Sequence, residues 1–135
     1  MPVQFPVERW ETPCSAIPSQ SVGDFHIVKR TIAHGKTLDM SGAFGYDDAV
    51  FLEDTVITIL RDGDPCSTNV AGIWMSDSPM EYFQAWELAA RAKGPHVLVG
   101  GLGLGLLAHI LALRRDIEAI WAVEIQKEII QMAAP

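Results

Sequence analysis

The chain has 135 residues, 49% of them apolar and 20% charged, a globular rather than disordered composition. The length suits one domain of modest size, long enough to bury a core without disulfides or metals. The net charge of −7 and the absence of any basic run exclude nucleic acid and anionic membrane as the main partner. Cys14 and Cys66 stand in no Cys-x-x-Cys or Cys/His cluster, so zinc is excluded and two reduced thiols in a cytoplasmic protein are expected. The opening "MPVQFPVERW" has no basic region followed by an apolar one, so it does not read as a signal peptide.

Residues 1–22 carry Pro2, Pro6, Pro13 and Pro18 and read as an extended arm or loop. Residues 24–33, "DFHIVKRTIA", alternate imperfectly; with "HGK" as a turn and "TLDM" beyond it, a hairpin is predicted. "VFLEDTVITILRDGDP" predicts a strand centred on residues 55–60 and closed by an Asp-Gly turn, and "NVAGIWM" predicts another. The texture then changes. "SPMEYFQAWELAARAKGP" is signed as a helix: Ser78 as N-cap, Pro79 at the first helical position, Glu81 completing an S-x-x-E capping box, Gly94 past the end and Pro95 as the stop. A strand over residues 96–100, a helix over 105–114, a strand over 119–125 and a further helix follow. The Arg114–Arg115 pair reads as the solvated, dipole-complementing end of the second of these helices.

Residues 97–113, "VLVGGLGLGLLAHILAL", hold one polar side chain, His109, and are just long enough to raise a membrane span. Glycines interrupt the run, and a buried strand, a turn and a buried helix account for the same hydrophobicity. The fold class expected is α/β: a β-rich N-terminal region with an extended arm (residues 1–76), followed by the first βαβ unit of a Rossmann-like sheet (residues 77–135) that reads as truncated.

The chemistry centres on "VGGLGLG". A glycine loop between a buried strand and a helix is where parallel α/β sheets bind nucleotides. The dinucleotide pattern G-x-G-x-x-G fails, because its third glycine falls on Leu106. Gly101, Gly103 and Gly105 instead give G-x-G-x-G, and Gly100 is assigned to strand-end packing. Glu124 ends the next strand, where a carboxylate can accept hydrogen bonds from two ribose hydroxyls.

"HVLVGGLGLGLLAHIL" followed by "IWAVEIQKEII" resembles motifs I and II of class I S-adenosylmethionine-dependent methyltransferases, with V-E-I and the β-rich preceding part similar to the spermidine-synthase-like branch. The resemblance covers roughly residues 73–132. It implies S-adenosylmethionine as cofactor, held by Gly101, Leu102, Gly103 and Gly105 on the loop and by Glu124 and the adjoining Ile125. It places the start of the preceding helix near the cofactor cleft, which makes Asp77 and Tyr82 candidates. It also implies methyl transfer, with aminopropyl transfer as the alternative. Three departures bear on that choice. Val99 stands where many methyltransferases carry an acid. Leu104 stands where polyamine synthases carry Asp. Tyr82, Phe83 and Gln84 replace their Tyr-His-Glu stretch.

The family's adenine-binding acid and its catalytic residues would lie beyond Pro135, so no catalytic residue is named, and a non-catalytic fragment acting in assembly is the third reading. Two parallel strands leave open edges and faces. A homo-oligomer or larger assembly is therefore expected to cover them, with no nucleic acid and no membrane among the partners. Glu81 is assigned to capping, His109 to helix packing, and Trp74, Trp86 and Trp121 to the core. His26 and His34 have no matching carboxylate pattern.

Overall fold

A computed structural model describes residues 2–133. In chain order the strands are β1 (Gln4–Val7), β2 (Gln20–Val22), β3 (Phe25–Ile32), β4 (Thr37–Asp39), β5 (Asp48–Phe51), β6 (Thr55–Asp62) and β7 (Ile73–Ser76), followed by α1 (Pro79–Arg91), β8 (His96–Gly100), α2 (Leu106–Ala112), β9 (Ala119–Val123) and α3 (Lys127–Ala133). The β-branched run "TVITIL" makes β6 the centre of the N-terminal part. It pairs antiparallel with β3 along its full length, Phe25 opposite Asp62 and Ile32 opposite Thr55. β2 and β7 complete a four-stranded sheet in the order β2-β3-β6-β7. A second sheet has the order β1-β5-β4, and a third is the parallel pair β8-β9, with α2 in the crossover between its strands.

The chain is thus mixed α/β, and the predicted strands at β3, β6, β7, β8 and β9 are all present. Other expectations are corrected. The proline-rich arm is not irregular throughout: β1 runs parallel to β5, and Pro6 is tolerated because β1 is an edge strand. Pro13 opens a short 3-10 turn, Pro13–Ala16, boxed at its start by Thr12 and Ser15. β3 and β4 form no hairpin. β3 is occupied by β2 and β6, so the "HGK" turn hands the chain to the other sheet, where β4 pairs with β5. Asp62-Gly63 likewise opens an excursion rather than a tight turn. The buried Arg61 guanidinium pins that excursion by donating to the carbonyls of Ser67 (2.7 Å), Ala71 (3.2 Å) and Asn69 (3.3 Å).

In α1 Pro79 occupies the first turn as predicted, but the capping box does not form. Ser78 makes no side-chain cap. The Glu81 carboxylate instead accepts from Ser76 N–H (2.7 Å) and Ser76 Oγ (3.1 Å). Gly94 does not cap the helix either; it backs onto the Asp116 carbonyl, where a Cβ would have no room. Arg114 reaches across to the end of α1, donating to the carbonyls of Ala89 and Ala92, and forks onto Asp116. The dipole it complements belongs to α1, not to the helix it follows.

Two apolar clusters fill the interior. The larger joins Cys14, Ile27 and Leu60 to Ala85, Ala89, Val99, Leu104, Leu106, Ile110, Leu111, Ile129 and Met132. The smaller is built on Val7, Ile32, Met40, Phe51, Ile57 and Ile59, with Met80 and Phe83 of α1 packed against it. Both clusters draw on residues before and after position 76, so packing crosses the boundary between the two expected regions. Trp74, Trp86 and Trp121 are not core: each is between a third and just over half exposed. His109 is exposed on α2 rather than packed beneath it. No described helix is long and apolar enough to cross a membrane.

Candidate functional site

β8 delivers the chain into the glycine loop, and β9 delivers Glu124 beside it. Gly101, Gly103 and Gly105 all have positive φ (88°, 55° and 77°), a backbone that side chains with a Cβ resist. This is why every second residue must be glycine. Gly100 is different: a Cβ there would meet nothing, so strand-end packing does not explain it. It faces the cavity described below.

The loop turns its N–H groups inward, and each finds a partner. Gly101 N–H donates to the Val123 carbonyl (2.7 Å), which locks the loop to the end of β9. Leu102 and Gly103 N–H both donate to Glu124 Oε1, at 3.1 and 3.4 Å. Leu104 N–H donates to the thioether sulfur of Met75 at 3.0 Å. Gly105 N–H donates back to the Leu102 carbonyl (2.8 Å). The second Glu124 oxygen accepts from Gln126 N–H (3.1 Å). Partial burial pushes the Glu124 carboxyl up, but the N–H groups of Gln126, Leu102, Gly103 and Ile125 together outweigh it and hold the group below the usual glutamate range.

A cavity of about 550 Å³ opens over this arrangement. Its floor and walls include Leu60, Trp74, Met75, Val99, residues 100–103, Val123, Glu124 and Ile125. Among the described residues Glu124 is the one charged residue in that lining. Trp74 is held in place at the mouth: its indole N–H donates to Asp62 Oδ2 (3.1 Å), and its ring stands edge-on to Phe25 (5.0 Å between centroids). The volume and the mixture of apolar wall and few polar groups suit a small organic ligand.

Of the residues singled out from sequence, Gly101, Leu102, Gly103, Glu124 and Ile125 meet at this cavity. Ile125 is 89% exposed at its edge. Gly105 lies just behind, at the start of α2. Asp77 and Tyr82 are elsewhere. Asp77 is wholly buried; its carboxylate accepts from Thr58 N–H (2.7 Å) and Thr12 Oγ (2.6 Å), and its carbonyl accepts from Trp10 Nε1 (2.9 Å). It knots the N-terminal arm to β6 and to the start of α1. Tyr82 joins a surface group of aromatic rings with Trp10, Phe83 and Trp86. Leu104 is wholly buried in the larger cluster, and its carbonyl accepts from the Cys14 thiol at 3.6 Å. Burial, with Asp77 nearby, pushes that thiol up to about 12, so Cys14 is a protonated donor and not a nucleophile.

The sequence assigns Trp74 to the core and does not single out Met75. Each is one apolar residue in a short strand, and only tertiary pairing brings them to the loop. Another cleft, of about 620 Å³, is lined by residues of mixed charge, among them Arg9, Glu11, Lys29, Glu53 and Asp54. Its lysine is already engaged: Nζ donates to Thr58 Oγ1 (2.7 Å) and to the Ser15 and Cys14 carbonyls (3.0 and 3.4 Å). Among the described residues no group of three His, Cys, Asp or Glu is placed to hold a metal ion. No protein-family model matches the chain, and searches among curated proteins and among solved structures return no match either.

Proposed function

We propose that this chain binds S-adenosylmethionine in the cavity over residues 101–105 and serves as the cofactor-binding part of a methyltransferase, with β8-α2-β9 as the first βαβ unit of a Rossmann-like sheet. The observation that carries the reading is the hydrogen-bonding of the loop. A phosphate-binding loop offers free N–H groups to an anion. Here the N–H groups of Leu102 and Gly103 are taken by the protein's own carboxylate, which leaves a negative charge facing the cavity. A dinucleotide pyrophosphate would meet repulsion there. A ligand with ribose hydroxyls to donate and a positive sulfonium to place near a carboxylate would not.

Glu124 would hold the ribose, the loop backbone would lie along the ligand, and Trp74, Leu60 and Ile125 would supply apolar wall. When bound, the cofactor supplies an activated methyl group; the protein's part is to bind and orient it. Aminopropyl transfer is disfavoured by Leu104. An amine substrate needs a carboxylate, and this position points into the core instead.

Calorimetric titration with S-adenosylmethionine, its decarboxylated form, S-adenosylhomocysteine and NAD tests the proposal. Binding of the first and third, without NAD, is expected, and Glu124→Ala should weaken it by roughly tenfold or more. Binding of the decarboxylated form alone would favour aminopropyl transfer. No binding at millimolar ligand would overturn the cofactor reading, and unchanged affinity in Glu124→Ala would remove the ribose assignment.

A further inference from the structure

The loop's hydrogen bonds are unequal. Leu102 and Gly103 share a carboxylate oxygen, whereas Leu104 N–H has only the thioether of Met75, a weak acceptor. Met75 reaches that N–H from β7, where it pairs with Leu60. Its sulfur presses so closely on Gly103 that a Cβ there could not coexist with it. Met75 also lines the cavity. One flexible side chain therefore covers the weakest-held donor of the loop and fills the part of the cavity next to it.

We propose that Met75 is a specificity-determining residue of this cavity: it narrows the pocket beside Leu104, so that the long tail of S-adenosylmethionine or S-adenosylhomocysteine binds only with the Met75 side chain turned aside, while a thio-nucleoside with a short 5′ substituent fits without moving it. The inference rests on the nucleoside reading given above. Glu124 lies on Leu102 and Gly103 and the Met75 sulfur on Leu104, the next residue of the loop. With the ribose on Glu124 and its 5′ end turned along the loop, as the proposal takes it, the substituent meets Met75. Removing the side chain vacates that space and frees the Leu104 N–H for a polar tail. Replacing it by leucine keeps the bulk and removes the acceptor, a swap of nearly conserved volume. The two variants separate steric blocking from hydrogen bonding.

The test compares 5′-methylthioadenosine with S-adenosylhomocysteine by calorimetry on the wild-type chain, Met75→Ala and Met75→Leu. Nitrogen-15 spectra without ligand report the Leu104 amide. The expected result is that Met75→Ala shifts the affinity ratio toward S-adenosylhomocysteine by roughly tenfold, the scale of a pocket that gains a few methylenes of room. Met75→Leu should keep a ratio near wild type, and the Leu104 amide should lose exchange protection in both variants. An unchanged ratio in Met75→Ala, with both nucleosides bound, overturns the specificity role while leaving the nucleoside reading intact. A Leu104 amide in Met75→Leu as protected as in wild type overturns the thioether contact. If neither nucleoside binds wild type or Met75→Ala, the nucleoside reading falls and the specificity role falls with it.

Discussion

Two leucines in two sheets make the contrast on which this molecule turns. Leu60, in β6, is 1% exposed; Leu98, in β8, is 72% exposed. β6 is flanked by strands on both edges and lies between the two apolar clusters. Among the described residues β8 has only β9 beside it. The face carrying Val97, Val99 and Ile120 is packed toward the larger cluster. The opposite face presents Leu98 next to its pairing partner Trp121, 53% exposed, and Val123. Parallel strands in stable sheets are normally covered on both faces. The N-terminal sheets are therefore the better-packed platform, and the glycine loop hangs from the less clothed element, tied down by Gly101 to Val123, by Glu124 and by Cys14.

The contrast can be broken first at its buried side. Leu60→Ala should cost about 2–5 kcal/mol, as full burial in a packed cluster demands, measured by urea unfolding. A cost under about 1 kcal/mol would mean that β6 is not the packed centre described. Asp77→Ala should cost about 2–4 kcal/mol, because it strands the Thr58 N–H and the Thr12 hydroxyl in the interior. Its effect should spread to the arm: proteolysis near residues 10–16 should accelerate. A variant as stable and as resistant as wild type would sink the view that Asp77 is structural. Gly103→Ala should cost about 1–2 kcal/mol from φ alone, plus a clash with Met75. Only the second part should vanish in a Met75→Ala background, so a double-mutant cycle reads the contact directly. Strict additivity would remove it.

How far these features were legible in the sequence follows the range of the interactions. Alternation and β-branched runs marked β3, β6, β8 and β9, because those signals are local. The glycine loop and Glu124 were legible as a pair, since strand, loop and strand follow one another. β1 was not: its partner is 44 residues away, and its proline reads as a breaker until the strand is known to be an edge. The capping box failed for a related reason. S-x-x-E has the right spacing, but Glu81 found a better donor pair in Ser76, two residues earlier. The tryptophans were misassigned because composition reports that a residue is apolar, not whether its side of the sheet is covered. Asp77 illustrates the converse. An acid near a cofactor loop suggested ligand binding, and only the fold reveals Thr12 and Thr58 closing on it. The loop's partner Met75 carried no signal at all.

Glu81 offers a finer probe of the same platform. Burial raises its carboxyl above the ordinary value of 4.5, the nearby Asp77 charge adds to this, and the two bonds from Ser76 only partly offset it. The folded chain therefore holds a proton more tightly than the unfolded chain does. Stability should fall as pH rises from about 4.5 through the raised value, the reverse of an ordinary paired carboxylate. Glu81→Gln should flatten that part of the stability–pH curve. An unaltered slope in the variant would assign the dependence to another group.

The smallest effect is expected where the contrast is sharpest. Leu98→Ala should change stability by less than about 0.5 kcal/mol at low protein concentration, since a side chain this exposed has little burial to lose. At higher concentration the outcome depends on whether a second copy covers the β8-β9 face. An apolar face carrying Leu98, Trp121 and Val123 is the kind that marks an interaction surface. If copies associate there, wild type should sediment as a dimer at micromolar concentration, Leu98→Glu should sediment as a monomer, and the cost of Leu98→Ala should grow with concentration by mass action. A well-folded wild-type monomer at micromolar concentration, with Leu98→Ala neutral throughout, would leave the face bare in solution and the two leucines as different as their exposures make them.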